Sequence, residues 1–192
     1  MTGSPRIVVH IDGASRGNPG PAAYGIVVDA ADGSKLAGFS RYLGKATNNV
    51  AEYQGLLAAL EYALQNGYSR VQVQTDSELL ALQIQGVYKV KSPGLKPLCE
   101  RARQLIARLD SFSIEHVPRE QNREADRLAN LALDEAAVEG TGGSRTARAS
   151  LERKAAEPLH TSATFRNGVL EPHFHLSLLE GEVVDLEIRR KE

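Results

Sequence analysis

Residues 6–30, RIVVHIDGASRGNPGPAAYGIVVDA, set an apolar run, a loop dense in glycine and proline, and a second apolar run in immediate succession. The β-branched stretch 6–12 stops at Asp12 and Gly13, and GNPGP (17–21) follows, so a strand is predicted to end in a tight loop. The stretches AYGIVVDA (23–30) and KLAGFSRYL (35–43) are separated by ADGS, whose Asp32 and Gly33 suit a hairpin turn. Three antiparallel strands are expected from this region.

Helical spacing begins just beyond. NNVAEYQGLLAALEYALQNG (48–67) places Tyr53, Leu56, Leu57, Leu60 and Leu64 on one face, with Asn48 or Asn49 as the cap and Gly67 past the end. RVQVQTD (70–76) alternates like a strand, and SELLALQIQG (77–86) reads as a short helix. After Pro93 and Gly94, LKPLCERARQLIARL (95–109) is an amphipathic helix and SFSIEHV (111–117) a strand ended by Pro118. A last helix starts near Asn122 and gathers Ala125, Leu128, Ala129, Ala132 and Leu133 on one side. The order β-β-β-α-β-α-β-α implies an α/β fold, or α+β under a stricter scheme: a five-stranded mixed sheet flanked by helices.

From residue 139 the composition changes to EGTGGSRTARASLERKAAEP, small and charged without apolar periodicity. The expected organisation is a domain over 1–138, a flexible linker over 139–160 and a small β module over 161–192, turning at Asn167 and Gly168. So small a module is expected to dock on the main domain or on a second copy, giving a homodimer.

Composition narrows the function classes. The 192 residues carry a net charge of −1, which argues against a broadly basic nucleic-acid surface, although an acidic site that holds cations can meet phosphate through them. No apolar run is long enough to cross a membrane and no secretory signal is evident, so a cytoplasmic location is expected. The single cysteine, Cys99, reads as a helix-face residue, and no Cys or His cluster has zinc spacing.

Taken singly, the acids have ordinary explanations. Asp12 sits at a turn before Gly13, and Glu52 follows Asn49 at capping-box distance. Asp76 could cap the helix after it, and Asp126 could complement a helix dipole. Jointly, Asp12 and Asp76 end two sheet strands while Glu52 and Asp126 open two helices packed on that sheet, so all four can converge at one edge. Clustered carboxylates repel unless cations occupy them, and an all-oxygen set favours magnesium, with manganese able to substitute, over zinc.

IDGASRGNPGPAAYG (11–25), TNNVAEYQGLLAAL (47–60), VQTDSELL (73–80) and NREADRLANLA (122–132) together resemble the signature blocks of type 1 ribonuclease H, over about residues 6–136. The resemblance implies an endonuclease that hydrolyses the RNA strand of RNA/DNA hybrids with two metal ions, leaving 5′-phosphate and 3′-hydroxyl ends. It assigns metal and catalytic roles to Asp12, Glu52, Asp76 and Asp126. It implies 2′-hydroxyl recognition by Asn18, Asn48 and Asn49, whose other roles would be turns and caps, and a DNA-phosphate contact or a helix cap for Thr47.

Two departures from the family matter. The tryptophan-bearing basic protrusion of many bacterial members is replaced by VYKVKSPGLKPL (87–98), with only Lys89, Lys91 and Lys96, so hybrid affinity is expected to be salt-sensitive. The shorter form is similar to the archaeal and actinobacterial branch. Glu78 stands where members often have Gln, which alters the expected base contact. For the mobile histidine that precedes the last acid in bacterial members, His116 and Arg119 compete. Arg119 is preferred because it lies on the loop, whereas a packed or paired His116 is expected within a strand. A guanidinium there holds phosphate but moves no proton.

The C-terminal piece is weakly similar to a family of very short β-rich antitoxins, and its His173 and His175 lack the further partners a metal site needs. The rival to a nuclease is a non-catalytic hybrid- or RNA-binding module on the same fold, and double-stranded RNA is a second candidate substrate.

Overall fold

In a computed structural model that describes residues 5–140, 163–166 and 169–172, the opening apolar run forms β1 (Arg6–Ser15) at the centre of a sheet. β2 (Gly20–Ala30) and β3 (Lys35–Ala46) follow antiparallel, joined by the turn expected at Asp32 and Gly33. There the Asp32 carboxylate accepts from both the N–H and the hydroxyl of Ser34, and Gly33 takes φ +83°, which a side chain would resist. β4 (Arg70–Thr75) pairs parallel to β1, and β5 (Ser111–His116) parallel to β4, giving the mixed order β3-β2-β1-β4-β5.

Alternation along the strands decides which helix lies where. Ile7, Val9 and Ile11 are buried against α1 (Asn48–Gln65) and α3 (Lys96–Ile106), in one core that includes Leu56, Leu60, Ala102 and Leu105. α2 (Glu78–Ile84) joins the same layer, and Cys99 is buried within it, as a helix-face residue should be. The opposite face meets α4 (Arg123–Gly140), whose Ala132 and Leu133 pack with Ala23.

Two glycines let these layers close up. A Cβ on Gly13 would lie 2.3 Å from the Glu52 backbone nitrogen, and one on Gly25 would lie 2.1 Å from the Ala125 carbonyl oxygen. α1 and α4 therefore approach the sheet more closely than side chains would permit.

The chain divides into two units, Met1–Leu151 and Glu152–Glu192. In the second, β6 (Ala163–Arg166) pairs antiparallel with β7 (Val169–Pro172), with Phe165 opposite Leu170. The turn at Asn167 and Gly168, and His173 and His175, lie outside the described residues. α4 runs to Gly140, two residues into the stretch read from sequence as linker; the remainder of that stretch also lies outside them.

Candidate active site

The β1–β4 ladder ends at the pair Ile11 and Thr75. Beyond it β4 leaves the sheet towards α2 while β1 continues beside β2 as far as Ser15, so Asp12 lies inside its strand, which corrects the expectation that it ends the strand. What ends at Asp12 is the parallel ladder, and that leaves its flank open. Asp76 is the first residue after β4, and Glu52 comes from α1. Carboxylate oxygens of Asp12, Glu52 and Asp76 all lie within 4.8 Å of one another.

Local structure removes the ordinary explanations for two of these acids. The cap of α1 is Thr47, whose hydroxyl accepts the Val50 N–H at 3.3 Å, and not Asn48 or Asn49. Glu52 therefore falls in the second turn, too far along for a capping box or the helix-dipole effect. The cap of α2 is Ser77, which accepts the Leu80 N–H at 3.4 Å, so Asp76 is not spent as a cap. In both cases several cap-forming residues stand side by side, and only backbone geometry chooses among them.

The electrostatics are those of anions held together out of water. Asp12 is 5% exposed, and its carboxyl is pushed up to about 7, first by burial and then by the charges of Asp76 and Asp126. Glu52, 4% exposed, is raised well above the ordinary carboxylate range by burial and by Asp12 and Asp76, with the Gly13 N–H and the Thr75 hydroxyl opposing the shift. Glu52 Oε2 is buried with no hydrogen-bond partner among the described residues. A buried, unpartnered carboxylate oxygen facing two further acids is costly unless a cation completes it. The donor set contains only hard oxygens, and so suits a divalent ion of the magnesium or calcium type rather than zinc.

Asp126 lines the same cleft, of about 380 Å³, but stands outside the group of three. Its carboxylate accepts from the Arg119 guanidinium at 2.7 Å, which raises the Arg119 pKa further. Arg119 is 70% exposed and rides on a 3₁₀ turn (Arg119–Gln121) at the cleft rim. His116, expected to be packed or paired, is instead exposed at the end of β5, where the outward-facing edge leaves its ring in solvent. Sequence reasoning passed over Asn122, taking it only as the start of the last helix; it is buried, and its amide reaches Asp76. The available signal was its position four residues before Asp126.

Of the residues expected to meet substrate, Asn48 lines the cleft, and its backbone N–H donates to Asn18 Oδ1 at 3.4 Å. That bond ties the glycine-rich loop to the start of α1. Asn18 and Asn49 are exposed, and Thr47 is the α1 cap. Glu78 is exposed on the first turn of α2 and is not among the cleft residues. A second groove, about 420 Å³ between α2, α3 and β5, is mainly apolar and has no acid in its lining.

The reverse transcriptase-like family profile matches residues 10–132. Ribonuclease HI of Halobacterium salinarum is 47% identical over 131 residues, which span 68% of this chain and 66% of that protein. A bifunctional protein of Mycobacterium tuberculosis is 48% identical over 69% of this chain, and the match covers 36% of its length. The match thus spans less than two thirds of the length of each of these two curated relatives. The crystallised LC11-RNase H1, in complex with an RNA/DNA hybrid, superposes with a TM-score of 0.65 at 43% identity, covering 68% of this chain and 99% of that one.

Proposed function

The chain belongs to the type 1 ribonuclease H family, and from that premise we propose that it is an endonuclease that hydrolyses the RNA strand of RNA/DNA hybrids, using magnesium and leaving 5′-phosphate and 3′-hydroxyl ends. The observation that carries the proposal is the meeting of Asp12, Glu52 and Asp76, from three separate elements, with two of the three buried. Neither packing nor capping explains that meeting. Binding of a hybrid by a relative 43% identical supports the choice of substrate.

In this proposal Asp12, Glu52 and Asp76 hold one ion, and Asp12 and Asp126 hold a second. When bound, two such ions activate water and stabilise the leaving oxygen of an in-line displacement at phosphorus. Manganese can replace magnesium. Arg119 sits where its fixed positive charge can draw a phosphate oxygen to the cleft, and it moves no proton because it stays charged. The amides of Asn18, Asn48 and Asn49 face the task of telling RNA from DNA through 2′-hydroxyls, with Thr47 on a phosphate of the DNA strand and Glu78 at a base edge. The division into a catalytic domain (1–138), a linker (139–160) and a β module (161–192) that docks or dimerises belongs to the same proposal. So does a cytoplasmic location; among the described residues no helix is long and apolar enough to cross a membrane.

The test is cleavage of an end-labelled hybrid with magnesium and with chelator, beside single-stranded and double-stranded RNA. Magnesium-dependent cuts confined to the RNA of the hybrid are expected. Binding without cleavage would instead support a non-catalytic hybrid-binding module, and cleavage of double-stranded RNA would widen the substrate range.

A further inference from the structure

Asn122, immediately before α4, is 1% exposed. Its amide nitrogen donates to the Ile11 carbonyl oxygen at 2.9 Å and to Asp76 Oδ1 at 3.3 Å. Its own carbonyl oxygen accepts the Asp126 N–H at 3.1 Å. One residue therefore touches the strand position before Asp12, the carboxylate of Asp76 and the first turn that presents Asp126.

The chemistry of this contact is specific. Turning the amide over would set its oxygen against two acceptors, so the neighbours fix its orientation. The outward consequence is that Asn122 Oδ1 is buried without a hydrogen-bond partner among the described residues. An apolar side chain would avoid that cost, which points to the donating end as the reason for an amide here. A neutral donor also suits the neighbourhood: a lysine or arginine would compete with a cation for Asp76, and an acid would add to the repulsion. The amide takes one lone pair of Asp76 Oδ1 and leaves the rest of the carboxylate open.

We propose that Asn122 is a positioning residue that holds the Asp76 carboxylate in the orientation required to bind a divalent cation, and that it ties this acid to the strand carrying Asp12. It acts through Asp76 and touches no substrate. The proposal rests on the metal-binding reading of the acid cluster. Groups that orient metal ligands in this way commonly change metal affinity by about 10- to 100-fold when removed.

The test is calorimetric titration of the full chain with Mn²⁺, comparing the unmodified protein with Asn122→Ala, alongside thermal melts without metal. The expected result is a dissociation constant raised about tenfold or more in Asn122→Ala. A lowered melting temperature with unchanged Mn²⁺ affinity would reduce Asn122 to a packing role and overturn the inference. Absence of binding by the unmodified protein would instead overturn the metal reading beneath it. If Asn122→Ala does not fold, nuclear magnetic resonance of the unmodified protein decides. The Asn122 side-chain NH₂ signals should shift during Mg²⁺ titration with the midpoint of binding, and signals that stay still would overturn the inference.

Discussion

Asp12 makes the stability of the metal-free protein run opposite to that of a protein with salt-bridged acids. Its carboxyl is raised to about 7 in the fold, whereas the unfolded chain should titrate near the ordinary value of 3.8. Between those values the native state holds the extra proton, so the contribution of Asp12 to stability is fully present below about pH 4 and is lost as pH rises through about 7. Glu52, raised by its own burial and by the charges of Asp12 and Asp76, adds in the same direction. Thermal melts in chelator should therefore give a melting temperature about 5 °C lower at pH 8 than at pH 5, and saturating magnesium should remove most of the gap. A metal-free melting temperature that rises over this interval would contradict the burial assigned to these two acids. For the same reason Asp76→Asn should leave the fold intact or slightly more stable, because it relieves repulsion. Its hybrid cleavage should fall by about 10³-fold, the loss of several kcal/mol of transition-state stabilisation. At this scale the acids were legible in the sequence as residues, but Asn122 was not: an Asn before a helix looks the same whether it caps the helix or reaches a carboxylate.

The elements position the acids through backbone contacts that leave little trace in side-chain patterns. Periodicity, with the turn signals between the runs, was enough to place the five strands and four helices of the 5–140 region, but not the 3₁₀ turn Arg119–Gln121, which buries no residue and so leaves no apolar pattern. Start signals were less informative. In Thr47-Asn48-Asn49 and in Asp76-Ser77, adjacent residues compete for a single cap, and the winner depends on which backbone conformation the packing selects. Thr47→Ala should cost about 1 kcal/mol, measured by denaturant unfolding, while Asn49→Ala should cost far less. Gly13 has the larger effect, because its missing Cβ is what admits Glu52 beside Asp12. Gly13→Ala should destabilise the protein by about 3 kcal/mol through overpacking. It should also weaken magnesium binding, read by calorimetry, because α1 must move away carrying Glu52 with it. Unaltered stability and metal affinity in that variant would show that the close approach of α1 to β1 is not what builds the site.

Across the whole molecule, the acids are far apart in sequence and come together only because the parallel ladder between β1 and β4 stops where Asp12 and Asp76 lie. The periodic pattern gave the sheet and its flanking helices, whereas the point at which a ladder ends depends on pairing across the chain. With a net charge of −1 and a cleft dominated by acids, attraction to a nucleic acid must come from bound cations and a few basic residues such as Arg119, Lys89 and Lys91. Hybrid binding at fixed magnesium should accordingly weaken as sodium chloride is raised, with the modest slope that a few phosphate contacts give, as followed by fluorescence anisotropy. The most direct measurement is anomalous scattering from crystals of the unaltered chain grown with Mn²⁺ and an uncleavable hybrid. Manganese bound about 2.1 Å from carboxylate oxygens of Asp12, Glu52 and Asp76, beside the RNA strand, is the expected result. Manganese bound elsewhere, with these three acids unliganded next to the seated hybrid, would contradict it.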